Sequence, residues 1–248
     1  MSVDGTNLTE RGFFCRKSKM KTEGNRRKLG WAADGFENGL GIDILYEDGR
    51  SVGFVEYARG EHAWRAVHAP GYLVIHCIWV VGRAKGKGHG TALLERVEAR
   101  ARDLGAAGVV MVTSSGVWLA NAGLLLQHGY ESVDEAPPSF ELLVKPFVNA
   151  APPAFPTNWD RRAAAFGDGL TIVTTDQCPY LEEAEQAIVT GAQELDVPVS
   201  ITKLESSRDV QERSPSAYGV FGVVLNGELL SYHYLLEKDL RGLLSGRA

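Results

Sequence analysis

The sequence predicts an α/β protein in two parts: a mixed, twisted sheet flanked by helices over residues 1–148, and a smaller α/β unit over residues 167–248. Three observations carry this. Strand-like and helix-like periods alternate along the whole chain. A glycine-rich loop joins a long apolar strand to an amphipathic helix at residues 80–105. The stretch "KPFVNAAPPAFPTNWDRRAAAFGDG" has three prolines in five residues and no period, so residues 149–166 read as a linker or extended strap.

The elements follow in order. "FFCRKS" reads as a short strand, and "TEGNRRKLGWAADGFENG" as a helix with Leu29, Ala32 and Phe36 on one face and Gly39 as its stop. "LGIDILYEDGRSVGFVEYA" is a hairpin turning at Asp48-Gly49. "GYLVIHCIWVV" is apolar and β-branched throughout, as a strand buried on both faces should be. After the glycines, Leu93, Leu94, Val97, Ala101 and Leu104 share one helical face, with Glu95, Glu98, Arg100 and Arg102 elsewhere. "AGVVMVTSSG" is the next strand, "LANAGLLLQHGY" a short helix ending at Gly129, and "SFELLVKPF" a last strand. In the second unit, "GLTIVTTDQCPYLEEAEQAIVTGAQELDVPVSITKL" reads strand, loop, helix, strand, with Leu181, Ala184, Ile188, Ala192 and Leu195 on one face. A hairpin at Asn226-Gly227 and a helix over "EKDLRGLL" complete a βαβ–ββα order.

Composition bounds the setting. No apolar run approaches the roughly 20 residues of a membrane span, and no signal-peptide stretch opens the chain, so a cytoplasmic protein is expected. Nothing points to nucleic acid. Three widely spaced cysteines, Cys15, Cys77 and Cys178, suggest neither a disulfide framework nor a metal cluster. The net charge of −5 is uneven: residues 161–248 hold 8 Lys/Arg against 13 Asp/Glu, and the first 160 balance. That balance hides a basic stretch from Arg11 to Lys28, read either as a solvated face or as a site attracting an anion.

The loop "KGKGHGT" is where chemistry enters. A helix start offers unpaired N–H groups and the positive end of the dipole. Glycines let the backbone approach an anion closely. A nucleotide P-loop would need Gly-Lys-Ser/Thr, which is absent. A dinucleotide fingerprint would need a third glycine where Thr91 stands, and an acid on the next strand, Val109 to Ser115, which has none.

"KGKGHGTALLERV" resembles instead the R/Q-x-x-G-x-G/A loop and helix of the GNAT N-acetyltransferase family. Lys85, Gly88 and Gly90 fall on its signature positions, with Lys where Arg or Gln is usual. "NAGLLLQHGYESVD" is similar to that family's closing helix. The whole chain also resembles the YoaP-type acetyltransferases, through "APGYLVIHCIWVVG", "APPSFELLVKPF" and "GVVLNGELLSYHYL". The resemblance implies acetyl-CoA as co-substrate. It implies a pyrophosphate on the loop formed by Lys85, Gly86, Lys87, Gly88, His89, Gly90 and Thr91, a pantetheine arm along Ile78, Trp79 and Val80, and a cofactor-side role for Asn121. It further implies acetyl transfer to a primary amine of a small metabolite or peptide through a ternary complex, by a monomer or a homodimer.

Amine acylation needs a base, an oxyanion donor and an acid for the departing thiolate. The family's tyrosine acid falls on Leu125 here, so either another group serves or the thiolate leaves unprotonated; Tyr130 falls on a packing aromatic. Candidate bases are Glu56 and His76, ahead of His62 and His68. Glu56 shares a strand face with Val52 and Phe54, where it either meets solvent or has a raised pKa and works through a water. The oxyanion donor is expected among the main-chain N–H groups near Trp79 or Val80. Trp64 and Arg65 could line an acceptor pocket.

In the second unit, Cys178-Pro179-Tyr180 is similar to the front of the glutaredoxin motif, and the βαβ–ββα order looks thioredoxin-like, but Leu181 replaces the second cysteine. Asp176, Glu182 and Glu183 oppose the helix dipole, so a thiol near its free pKa is expected. The other reading is a thiol- or metal-sensing or binding protein acting through Cys178, with CoA bound only as a ligand.

Overall fold

The computed structural model describes residues 1–16, 19–116, 118–235 and 237–245. A seven-stranded sheet and a four-stranded sheet organise the chain. The first contains β1 (Ser2–Val3), β2 (Gly41–Glu47), β3 (Arg50–Arg59), β4 (Leu73–Val80), β5 (Gly108–Ser114), β6 (Glu131–Ala136) and β7 (Phe140–Pro146), in the order β1-β2-β3-β4-β5-β7-β6. Helices α1 (Leu8–Arg11), α2 (Glu23–Glu37), α3 (His89–Asp103) and α4 (Gly123–Gln127) accompany it. The second contains β8 (Leu170–Thr174), β9 (Val199–Lys203), β10 (Gly222–Leu225) and β11 (Glu228–Ser231), in the order β11-β10-β8-β9, with α6 (Leu181–Glu194), α7 (Ser207–Arg213) and α8 (Glu237–Ser245). Between them, α5 (Trp159–Ala164) follows the strap.

Local sequence explains most of these elements. Asp48 and Gly49 both take positive φ (50° and 72°), which suits the tight β2–β3 turn, and Asn226-Gly227 repeats the device between β10 and β11. Gly39 stops α2 with φ of 80°. β4 and β5 pair in parallel across α3, while β5 and β7 pair antiparallel, so the sheet is mixed. β8 pairs parallel to β9 and antiparallel to β10, as the βαβ–ββα order requires.

Some expectations change. "FFCRKS" does not form a strand over its described residues 13–16; Lys17 and Ser18 lie outside the described residues. The first strand is β1, two residues held against β2. β6, "ESVDEA", has no apolar alternation because it is an exposed edge. Glu98 lies on the buried side of α3, where Lys145 donates to it at 2.8 Å. The proline-rich segment is a strap rather than a loose linker. Ala154 and His68 exchange backbone hydrogen bonds of 2.8 and 3.0 Å, and Phe155 is buried.

The packing makes the two parts one body. On one face of the first sheet, Leu73, Ile75, Val109, Met111 and Leu143 meet Leu93, Leu94, Val97 and Ala101 of α3. On the other, Val74, Val110, Val112, Phe140 and Leu142 share a core with Leu170, Ile172, Leu181, Ile188, Tyr218 and Tyr232 of the second unit. β5 is apolar on both faces because helices cover one side and the second unit covers the other. Among the described residues, no helix is long and apolar enough to cross a membrane.

Candidate active site

The site begins where two parallel strands part. β4 pairs with β5 only over Leu73–Ile75 and Val109–Met111. From His76 to Val80, β4 has no pairing with β5; Arg65 takes the His76 carbonyl, and beyond it main-chain groups on that edge are left for a ligand. The opening starts at a bulge: Glu56 pairs with Cys77 and Tyr57 with Ile75, which leaves His76 as the extra residue. A bulge of this kind re-aims side chains beside a site. The Trp79–Val80 edge expected to hold the oxyanion donor lies within the gap.

Beyond β4 the chain makes a short turn over Gly82–Ala84 and enters the glycine loop. Gly86 and Gly88 take φ of 77° and 80°, and a Cβ on either would meet nothing within 4 Å. The loop therefore presents bare backbone to open space. Gly88 is the N-cap of α3 and no side chain satisfies the helix start, whose first turn contains no acid. Those features favour an anion. The Lys85 ammonium lies 5.1 Å from the centre of the exposed Trp79 ring. The remaining loop residues have other engagements. Lys87 and His89 lean on Glu47 at 3.1 and 3.3 Å. A Cβ on Gly90 would come within 3.2 Å of Leu124, so this glycine serves helix packing. Thr91 Oγ1 and His128 Nε2 lie 3.0 Å apart. Asn121 accepts from the Gly123 N–H at 3.1 Å and so braces the start of α4.

Behind the opening sits a buried polar network. Glu56 is 2% exposed. It accepts from Lys28 Nζ and, at 2.7 Å, from Gln177 Nε2 of the second unit. Burial on its own would raise its pKa, but the Lys28 charge and the His76 ring together outweigh burial and hold it at about 2. The expected solvent-facing or raised-pKa carboxylate is thus replaced by an ionised, fully partnered one. His76 Nδ1 faces Glu56 at 3.5 Å, and its Nε2 accepts from the Trp64 N–H at 3.0 Å. Burial lowers the His76 pKa to about 4, against the pull of Glu56, so the ring is neutral at pH 7 with its acceptor nitrogen occupied. Arg65, expected to line a pocket, is buried: it donates to His76 O, to Trp64 O at 2.7 Å and to Gln177 Oε1 at 2.9 Å. His62 and His68 are exposed and have no place in this network.

Leu125 is fully buried and cannot act as an acid; Tyr130 is buried in the same core, and burial pushes its pKa upward. Cys178 also differs from expectation. It precedes the Tyr180 cap of α6 by two residues and packs, partly buried, against the core, and burial raises its pKa despite the Tyr180 amide beside it. Cys15 and Cys77, both free, come within electrostatic range of it, and burial raises both of their pKa values as well. Among the described residues, no three His, Cys, Asp or Glu side chains converge as metal ligands.

Sequence reasoning missed Lys28 and Gln177. Lys28 left a signal: it falls on the buried stripe of α2 with Gly24, Trp31 and Ala32. Gln177 left none beside the more conspicuous Cys178.

Over its described residues the basic stretch is in part a solvated face, with Lys19, Lys21 and Arg26 exposed, and in part a contact with the second unit. Arg16 and Lys19 pair with Glu183 at 2.5 and 3.0 Å, and Arg27 pairs with Glu185 at 3.2 Å. The Gly24 N–H donates to Glu182 at 2.8 Å.

Residues 9–130 match the acetyltransferase (GNAT) family. Over 249 aligned residues the chain is 26% identical to a Bacillus subtilis (strain 168) protein named as the uncharacterized N-acetyltransferase YoaP, covering 99% of this chain and 98% of that one. A GNAT-family acetyltransferase structure from Desulfovibrio desulfuricans is 17% identical, with 58% of this chain and 90% of that chain covered and a TM-score of 0.41. A Brucella melitensis GNAT acetyltransferase in complex with acetyl-CoA is 17% identical, with 55% and 80% covered and a TM-score of 0.37.

Proposed function

For a chain that contains a GNAT acetyltransferase domain over residues 9–130, we propose an acetyl-CoA-dependent N-acetyltransferase acting directly on a primary amine of a small metabolite or peptide in a ternary complex. The observation that carries this is the parting of β4 from β5 immediately before a bare glycine turn at the start of α3. The backbone from Lys85 to Thr91 holds the pyrophosphate, with Lys85 adding charge. Ile78 to Val80 offer main-chain groups to the pantetheine arm, and a free N–H in the gap meets the oxyanion. Glu56 and His76 contribute by fixing the bulge of β4, since their partners already occupy the atoms that would take a proton. With Leu125 at the acid position, the thiolate leaves unprotonated, and the proton lost by the amine passes to solvent water. The second unit is a thioredoxin-like domain without dithiol chemistry. The sensing alternative has less support, because burial raises the pKa of all three thiols. Free cysteines suit a cytoplasmic setting.

The test is acceptor-dependent release of CoA thiol, run beside calorimetric titration with acetyl-CoA. Release that requires an amine supports the reading. Tight CoA binding with no release for any amine would leave CoA as a ligand only.

A further inference from the structure

Gln177 stands on the loop between β8 and α6 and is 4% exposed. Its main chain is pinned there. The Gln177 N–H donates to Thr175 Oγ1 at 3.3 Å, and that hydroxyl donates to Val220 O at 3.2 Å. The side chain reaches out of its own unit. Nε2 donates to Glu56 Oε1 at 2.7 Å, and Oε1 accepts from Arg65 Nη1 at 2.9 Å. An ionised carboxylate can only accept and a guanidinium can only donate. An amide meets both at once, whereas a carboxylate there would repel Glu56 and an ammonium would repel Arg65.

Arg65 carries the contact into the site. It is buried, and its Nη2 donates to His76 O, the carbonyl of the bulged residue at which β4 leaves β5. His76 Nδ1 faces Glu56 at 3.5 Å, so Glu56, Gln177, Arg65 and His76 close a ring around the bulge. The charges of this ring do not cancel. Glu56 is matched by Lys28, whereas Arg65 has no carboxylate partner among the described residues. A buried charge is weakly screened, and a positive one at the head of the opening has the sign that a developing oxyanion needs. Its effect depends on where the guanidinium is held, a task Gln177 shares with the Trp64 carbonyl, which accepts from Nη1 at 2.7 Å.

We propose that Gln177 is a positioning residue for acetyl transfer: from the second unit it holds the Arg65 guanidinium and the Glu56 carboxylate against the His76 bulge, and so sets the oxyanion site at the head of the β4 opening. This rests on the acetyl-transfer reading of that opening. The glycine loop lies at the other end of it, beyond Val80, so Gln177 acts on the rate of turnover and not on the hold on acetyl-CoA.

The probe is hydroxylamine, a nucleophile that is neutral at pH 7 and small enough to need no acceptor pocket. The readout is catalysed release of CoA thiol from acetyl-CoA by the full-length protein. Gln177→Met keeps the length of the side chain and removes both hydrogen bonds. Its kcat should fall by about tenfold to a hundredfold, the scale of a misplaced reacting geometry, with KM for acetyl-CoA unchanged. The matched control is Gln211→Met. Gln211 also crosses the seam, donating to Gly60 O at 3.1 Å and Ala63 O at 2.9 Å, outside the ring; its kcat should stay at the wild-type value. Arg65→Lys should lower kcat as well, and adding Gln177→Met to it should lower kcat little further, because both act on one contact. Should circular dichroism show Gln177→Met unfolded, Gln177→Asn, which keeps the amide and shortens its reach, takes its place with the same expectation. Release by wild type together with an unchanged kcat in a folded Gln177 variant, an equal fall in Gln211→Met, or a raised KM with kcat intact would overturn this proposal alone. No catalysed release by wild type would overturn the acetyl-transfer reading and this proposal with it.

Discussion

Replacing Lys28 by methionine tests whether the network behind the strand opening is held by charge. Both partners are buried, Lys28 at 3% and Glu56 at 2% exposure. Methionine keeps most of the apolar stem and deletes the ammonium. Glu56 then keeps Gln177 and His76, but burial, which raises its pKa, loses its main opponent. The magnitude follows from the wild-type value. A carboxyl held at about 2 rather than 4.5 contributes about 3 kcal/mol at neutral pH, and breaking one side of a buried pair costs about 3–5 kcal/mol. The folded-state pKa lies below the unfolded one, so this stability is complete above pH 4.5 and drains as pH falls toward 2. His76 behaves with the same sign: its pKa is lowered from 6.5 to about 4, so its share is lost as pH falls through that window. Urea unfolding followed by tryptophan fluorescence should show Lys28→Met destabilised by about 3–5 kcal/mol at neutral pH, with the gap from wild type narrowing in acid. The double variant Lys28→Met/Glu56→Gln should recover much of the loss, because no unpaired charge remains buried. A penalty within about 1 kcal/mol, the range of an exposed pair, or one that does not change with pH, would refute the reasoning.

Four other outcomes are expected. Gly88→Val puts a β-branched residue at φ of 80° and a side chain into the open face of the loop, so calorimetry should show CoA affinity weakened by about 1–3 kcal/mol; equal affinity would remove the loop from the site. Leu125→Ala should cost about 2–5 kcal/mol of stability and leave the pH profile of turnover unchanged, whereas a basic limb that disappears in Tyr130→Phe would make Tyr130 the acid. Cys178 should react with iodoacetamide with a midpoint above the 9.0 of an ordinary thiol, and Cys178→Ser should retain acetyl transfer; a midpoint below about pH 6 with lost activity would restore the thiol reading. Deleting residues 151–248 uncovers Val74, Val110, Val112, Phe140 and Leu142. At about 1.5–3 kcal/mol for each large side chain, that loss rivals the roughly 5–15 kcal/mol that holds a domain folded. The truncated chain should therefore aggregate, and a soluble, cooperative monomer would contradict the packing argument.

The range of the physics decides which features are legible in the sequence. Hairpin turns and the glycine loop are local, so Asp48-Gly49 and Gly88 announce themselves. β6 escapes because an edge strand exposed on both sides has no reason to alternate. Glu56 stands out as a carboxylate on an apolar strand face, and Lys28 equally as a lysine on the buried stripe of α2. Only the fold shows that each answers the other. Gln177 is beyond reach in principle, since its partner lies 121 residues away. The apolar strand over residues 108–114 declares that both its faces are covered without naming the cover.

That cover is the second unit, and relative magnitudes show how it is held. The ion pairs of Arg16, Lys19 and Arg27 with α6 each have a substantially exposed partner or an exposed rim, so each is worth at most about 1 kcal/mol. The shared apolar core is worth several times their sum, so burial binds the two parts and the charges choose the orientation. Three residues of the basic stretch, Arg16, Lys19 and Arg27, therefore meet two of the acids of residues 161–248, Glu183 and Glu185, in one contact within the chain. That contact seats the first turns of α2 on α6 and brings Gln177 to Glu56, so the bulge that opens β4 is braced from both units. A second unit that braces the site in this way matters to the proposed acetyl transfer without any reactive thiol, because its influence passes through Gln177 and Glu56.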